Sequence, residues 1–388
     1  MLNQQLLHDA KKRYREFISQ VSASDGCFHL SSASEVSPYA RCFAIFGLKL
    51  LLDENWLSQH ANILAVAIRR DLDLMRNQRE KLQICLSSDK AYLQLLTFSL
   101  SALAVINRIK MDPLEDHVLP LVSLDVERDL WKFGALDGKA QSGNHAMFLA
   151  IILWHSGSHF DKNVQSLLTE WLSLHLNSFN EFGFWGVQTS MSHLQFQNGY
   201  HQYEILDYFD VKKVPWETAA NSVARLADDE GHYAPYPGGG GCYDYDATFI
   251  ITGAGENSIR KHKQLLIRTG ESILNEQNLD GGFCESHQVR PLSIKNLYKS
   301  AQHVLSVSGL AQQERLRYAV TLLRPKNSRI HTHWTEYSRD WSESNLWDSW
   351  FRMLCLARID VAFNPSNISN WGFVDYPGIG YHSALKKS

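Results

Sequence analysis

The 388 residues, 44% hydrophobic and 20% charged, supply ample apolar material for a large core and lack the composition of a disordered chain. A net charge of −3, with no Lys/Arg stripe interleaved with aromatics, excludes a nucleic-acid footprint. The longest apolar run, Met147 to Trp154, is far below the roughly 18 residues that span a bilayer, and six scattered cysteines with no Cys-x-x-Cys pair read as free thiols of a cytoplasmic protein.

In chain order, residues 1–21 form a first amphipathic helix, with Leu2, Leu6, Leu7, Tyr14, Phe17 and Ile18 setting the apolar pattern around Lys11, Lys12, Arg13 and Arg15. A unit then recurs: a glycine-plus-aromatic turn, a polar loop, and a helix opened by Asn, His, Tyr or Asp. It appears as Asp25-Gly26-Cys27-Phe28 before Tyr39, as Trp131-Lys132-Phe133-Gly134 before Asn144-His145, and as Gly183-Phe184-Trp185-Gly186 before Tyr200-His201. It returns as Gly231-His232-Tyr233 before Asp244-Tyr245-Asp246, as Gly281-Gly282-Phe283 before Tyr298, and more weakly as Trp334 before Trp347-Asp348. The intervals are 49 residues from Gly134 to Gly183, 48 to Gly231, 50 to Gly281 and 53 to Trp334, with an unmarked unit expected near Ser87-Ser88-Asp89. Such a period is the mark of a repeat architecture.

Each unit holds two helical segments. Asn163 to Leu176, Trp216 to Ala227 and Ser258 to Leu274 carry a one-sided apolar stripe; Tyr39 to Leu52, Ala146 to Trp154, Tyr243 to Thr252 and Leu346 to Ala357 are apolar nearly all round. Outer and fully enclosed helices in alternation must stack, and six or seven hairpins closing on themselves bury every inner helix. The sequence therefore predicts an all-α fold, a single (α/α)6 to (α/α)7 toroid over residues 1–388, with Gly238 to Gly241 as a mobile loop at its mouth.

Inner helices of such a ring begin at one rim, so their first turns converge. The residues this predicts at the site are Tyr39, Arg41, Asn144, His145, Tyr200, His201, Glu204, Asp244, Asp246, Tyr298, His303, Trp347, Asp348, Trp350 and Arg352. Two carboxyls facing an apolar hollow cannot both ionise cheaply, which would leave Asp246 or Asp244 a proton to donate; helix capping is the competing use of an early Asp. His201 and Glu204 are one helical turn apart and can act on one ligand. His331 and His333 alternate as two metal ligands would, without a second pair to complete a set.

Gln277-Asn278-Leu279-Asp280-Gly281-Gly282-Phe283 resembles the Gln-x3-Gly-x-Trp repeat of terpenoid cyclases and the Asp-Gly-Gly-Phe turns of protein prenyltransferase β subunits, families that share an α/α toroid. Asp244-Tyr245-Asp246-Ala247-Thr248 is similar to the Asp-x-Asp-Asp-Thr motif of class II cyclases, with Ala247 in place of the last aspartate. The resemblance implies a largely apolar, isoprenoid substrate, with Asp246 as the acid that starts cyclisation and Asp244 as its partner. It also implies a stabilising aromatic wall and leaves room for a partner protein or domain that completes the site. No cofactor is expected; if the prenyltransferase zinc site has a counterpart, its ligands are Cys242, Asp244 and His303.

Two other readings use the same ring. α/α barrels also house carbohydrate lyases, epimerases and hydrolases, for which Asn144, His145, Tyr200, His201 and Glu204 would be the working residues, and a helical ring can be a non-catalytic scaffold. The lining discriminates: a dry aromatic wall suits isoprenoids, whereas many His, Asn, Arg and carboxylate groups beside exposed Trp suit sugars.

Overall fold

Six segments whose side chains are buried on almost every side can only be satisfied at the centre of a ring, and that is where they lie. The computed structural model describes residues 2–24, 26–139, 142–160, 162–187, 190–332 and 337–386. Its helices in chain order are α1 Gln4–Gln20, α2 Pro38–Leu50, α3 Glu54–Lys81, α4 Lys90–Val105, the single turn α5 Glu115–Val118, α6 Val126–Phe133, α7 Ser142–His159 and α8 Gln165–Leu176. They continue as α9 His193–Tyr208, α10 Trp216–Ala224, α11 Gly241–Gly253, α12 Glu256–Lys261, α13 Lys263–Asn275, α14 Ile294–Leu305, α15 Gly309–Leu322 and α16 Leu346–Phe363. Helices α2, α4, α7, α9, α11 and α16 each pack on the next, and α16 returns to α2, so the inner wall is closed. Helices α1, α3, α6, α8, α10 and α13 lie outside it. The ring is an (α/α)6 toroid, and the unmarked second unit begins where expected, with Asp89 capping α4 through Ala91 N.

The recurrent glycine has one physical job. In three successive units an Asn or Asp carbonyl (Asn180, Asp228, Asn278) accepts from the N–H of Gly183, Gly231 or Gly281 at 3.0 Å. Each of these glycines has φ between +79° and +89°, a region that favours glycine. A Cβ there would strike the backbone of the next outer helix, at Ala219, Thr269 and Arg13 respectively. The turn is thus the joint that passes the ring from one unit to the next. Trp185 locks its own turn through Nε1 to His175 O at 3.0 Å, while Trp131 is 46% exposed and locks nothing.

The Gly281 turn is not followed by an inner helix. Residues 276–345 form a long excursion containing the hairpin α14–α15 and the two-stranded pair β1 (Arg329–His331) and β2 (Ser338–Asp340), Arg329 opposite Asp340. The expected inner position of Tyr298 is corrected accordingly: it sits on α14, outside the ring and 63% exposed. His333 and Trp334 lie outside the described residues. At the end opposite the long loops, the segment after α16 folds back under the ring. Gly372 N bonds Leu50 O at 3.0 Å, and the Tyr376 hydroxyl meets His155 Nδ1 at 2.8 Å.

Candidate active site at the open rim

The long loops lie at the N-terminal rim of the inner helices. Within their first two turns these helices bury every residue except Pro38, Lys90, His145, Leu194, Gln197, Cys242 and Trp347, which are half-exposed. His145 is diverted outward: it stacks on Phe133 of α6 at 4.5 Å and lines a groove with Asp129 and Ser123. The rest define the mouth.

Cys242 is the reference point, because it lies within electrostatic reach of the carboxyls of Asp246, Glu285 and Asp348. Burial first, then those charges, hold its thiol well above the ordinary range, so it is a poor nucleophile. Asp246, one helical turn below on α11, is 1% exposed and neither carboxyl oxygen has a hydrogen-bond partner. Burial raises its pKa well above the usual carboxylate value, and Glu204 and Asp244 add to the effect. Its proton is therefore held more tightly than that of a free carboxyl, and it caps no helix end: the N-cap of α11 is Gly240, with no side-chain hydrogen bond there. Glu285, in the loop after α13, accepts from the Tyr236 hydroxyl and from Arg339 Nη2 at 2.9 Å. Burial, reinforced by Asp348 and opposed by Arg339 and Tyr236, lifts it to about 7. Lys90 projects from the start of α4 with its pKa lowered to about 8 by burial, and its charge, after burial, helps to hold His201 at about 3.

Other expected site residues are spent elsewhere. Asp244 is wholly buried in an ion cluster: Oδ2 meets His232 Nδ1 at 2.8 Å and Arg352 Nη1 at 2.9 Å, and Oδ1 accepts from Tyr233 N at 3.0 Å. It does not partner Asp246 as a donor. Glu204 does not orient His201; it accepts from the Tyr200 hydroxyl at 2.8 Å and Gly380 N at 3.1 Å, deep at the closed end. Arg41 turns outward to Asp71 of α3 and to Gly26 O. Tyr39 donates to Ala91 O at 2.5 Å, and Trp350 packs on Phe46 in the core, 0% exposed. Asp348 holds the start of α16 with Asn345, 2.6 Å away, and faces Arg339 at 3.4 Å. Asn144 is buried near the start of α7. Trp347 remains at the mouth, edge-on to Phe43 and Phe351.

Cys242, Asp244 and His303 do not converge: among the described residues neither cluster with metal-ligand spacing contains them together, and His303 lies beside Asp228, 3.5 Å away. The Gly238 to Gly241 stretch is not a mobile lid. All four residues are buried, and a Cβ on Gly239 would stand 2.6 Å from Asp244 Oδ2, so the glycines let the chain wrap closely over the ion cluster. Lys90 and Glu285 belong to no motif and were not legible as site residues; Lys90 could have been found from Asp89, the cap that places it first on an inner helix.

No protein-family profile matches the sequence, and no curated protein resembles it closely. Its fold does have solved counterparts. A wild-type glycosidase superposes with a TM-score of 0.51 at 11% identity, covering 93% of this chain and 99% of that one. A point variant of a glycosidase in complex with glucose gives 0.50 at 10%, with the same coverage. The class is therefore the all-α toroid, of the shape found in glycosidases.

The terpenoid cyclase and prenyltransferase resemblance is overturned by these counterparts, and the residues that carried it explain why. Gln277 ties its turn through Nε2 to Gly281 O at 2.8 Å and to Ala10 O of α1 at 3.0 Å, a service any ring of hairpins needs. Asp244 is bound up in ion pairs. The half-exposed residues in the first two turns of the inner helices include Lys90 and Gln197 as well as Trp347, not a continuous aromatic wall, and an isoprenoid substrate is not supported. Among the described residues no helix is long and apolar enough to cross a membrane.

Proposed function

We propose that this protein is a carbohydrate-active enzyme that cleaves a glycosidic bond at the open rim of its toroid, with Asp246 as proton donor and Glu285 as the second carboxyl. The observation that carries the reading is Asp246 itself: a buried carboxylic acid, both oxygens unpartnered, one helical turn beneath the half-exposed Cys242. Breaking a glycosidic bond needs a proton delivered to the leaving oxygen, which a carboxyl whose burial raises its pKa can supply, and a second carboxyl to act as base or nucleophile. Glu285, gripped by Tyr236 and Arg339, has the fixed position and the near-neutral titration for that second role. Trp347 offers an apolar plate for a sugar ring, and Lys90 and Gln197 offer hydrogen bonds around it. The full-length match of the ring to glycosidases, one of them a glucose complex, supports the substrate class.

The test is a reducing-end assay over oligosaccharides and aryl glycosides. Wild-type protein should cleave at least one, and Asp246→Asn and Glu285→Gln should each abolish that cleavage with unchanged circular dichroism. Cleavage of nothing in the panel, or full activity in either variant, would overturn the assignment.

A further inference from the structure

Behind Asp244, on the side away from Asp246, lies a cluster that the proposed reaction does not use. Ligand atoms of Glu230, His232 and Glu276 lie within 4.8 Å of one another. His232 is wholly buried, and its imidazole is fixed from behind by Asp244 Oδ2 at 2.8 Å from Nδ1. That hydrogen bond directs Nε2 at the two glutamates. Nε2 has no hydrogen-bond partner, although Glu276 Oε1 stands 3.3 Å from it, a separation without the alignment a hydrogen bond needs. Two ligands of one zinc-like ion, each about 2.0–2.2 Å from the metal, stand about 3 to 3.4 Å apart. A carboxylate holding the far nitrogen of a histidine is also the usual way a metal-binding imidazole is set in its tautomer.

We propose that Glu230, His232 and Glu276 bind one divalent transition-metal ion of the zinc or manganese type, with Asp244 orienting the imidazole. The carboxylates already face cations: Arg352 lies 2.9 Å from Asp244 and 3.3 Å from Glu276 Oε2, Lys299 lies 2.8 Å from Glu230 Oε1, and a protonated His232 stands between Asp244 and Glu276. A divalent ion binds the neutral imidazole in place of that proton. Glu230 also accepts from Gln288, and the four lone-pair sites of a carboxylate leave room for a cation. The side chains of Glu230 and Glu276 are 43% and 16% exposed, so an ion reaches the buried nitrogen from solvent. The mixed nitrogen and oxygen set favours transition ions over magnesium or calcium.

A second cluster with ligand spacing, Asp73, Asp116 and His117, shows what a non-site looks like. Both nitrogens of His117 are already hydrogen-bonded, to the Tyr92 hydroxyl at 2.7 Å and to Asp73 at 3.0 Å. Bound at the first cluster, the ion would pin the 228–241 loop to the end of α13, a role independent of the proposed reaction.

Full-length protein freed of metal by a chelator is titrated with ZnCl2 and with MnCl2 by calorimetry, and its thermal midpoint is followed. One ion per chain should bind and raise the midpoint, and Glu230→Gln and Glu276→Gln should each weaken binding by about 10- to 100-fold. Glu230 is exposed enough for its variant to fold whatever His232 requires. Asp116→Asn should bind as the wild type does. No stoichiometric binding, binding unchanged in both glutamate variants, or binding lost in Asp116→Asn would overturn the proposal.

Discussion

Glu204 and Asp246 stand on neighbouring inner helices and are both buried, yet they have opposite surroundings. At the closed end, Glu204 has both oxygens filled by Tyr200 and by Gly380 of the segment that seals the ring. At the open end, Asp246 has neither filled. A buried carboxyl with its acceptors saturated holds structure together, and one left bare is a cost that a fold retains where the proton has work to do. Burial alone marks neither role; the difference lies in what the oxygens touch.

The sharpest way to break this contrast is Asp246→Asn. It should lower turnover by about 1,000-fold or more with little loss of thermal stability, because the amide replaces a carboxyl that makes no hydrogen bond in the fold; a large fall in the thermal midpoint with activity retained would move Asp246 to the structural side. Glu204→Ala should do the reverse, costing about 3 kcal/mol in denaturant unfolding by stranding Tyr200 OH and Gly380 N, while glycan binding persists in the folded fraction. Gly239→Ala tests the open rim itself: at φ +68°, with its new Cβ 2.6 Å from Asp244 Oδ2 and 2.8 Å from His232 Nδ1, it should cost about 2 kcal/mol, read by urea midpoint. Trp347→Ala should raise KM about 10-fold with a smaller change in kcat, as loss of a binding surface does.

The closed end also leaves a trace in pH. Burial lifts the pKa of Glu204 from the ordinary 4.5 to about 8. Through that window the folded state holds a proton that the unfolded chain has released. Stability is therefore full below about pH 4.5 and is lost as pH rises toward 8. Glu204→Gln should flatten that part of the midpoint-versus-pH curve.

Much of this architecture is legible in the sequence because the ring imposes the same local demands on every unit. Helices α2, α7, α11 and α16 are apolar all round because nothing else survives at the centre, and glycines 183, 231 and 281 recur because each must press on the next outer helix. The count of units is harder to read. The excursion 276–345 places Trp334 53 residues after Gly281, so an insertion mimics the repeat and puts Tyr298 on an imagined inner helix. Four successive glycines suggest mobility in one dimension, but in three they are the condition for packing backbone against Asp244 and His232. The site is legible only in part. Asp246 follows from its place on α11, whereas Glu285 reaches the mouth from a loop after α13 and owes its near-neutral titration to Tyr236 and Arg339, 49 and 54 residues away in sequence.

The closure of α16 on α2 has a consequence for biosynthesis. Gln4 of α1 bonds Asp360 of α16 across 356 residues, and Lys11 lies over Trp371 at 4.0 Å. Five hairpins emerging from a ribosome therefore form an open arc whose two edges present apolar helices to solvent or to a chaperone, and the first and fifth units wait for the final inner helix before each acquires its second neighbour.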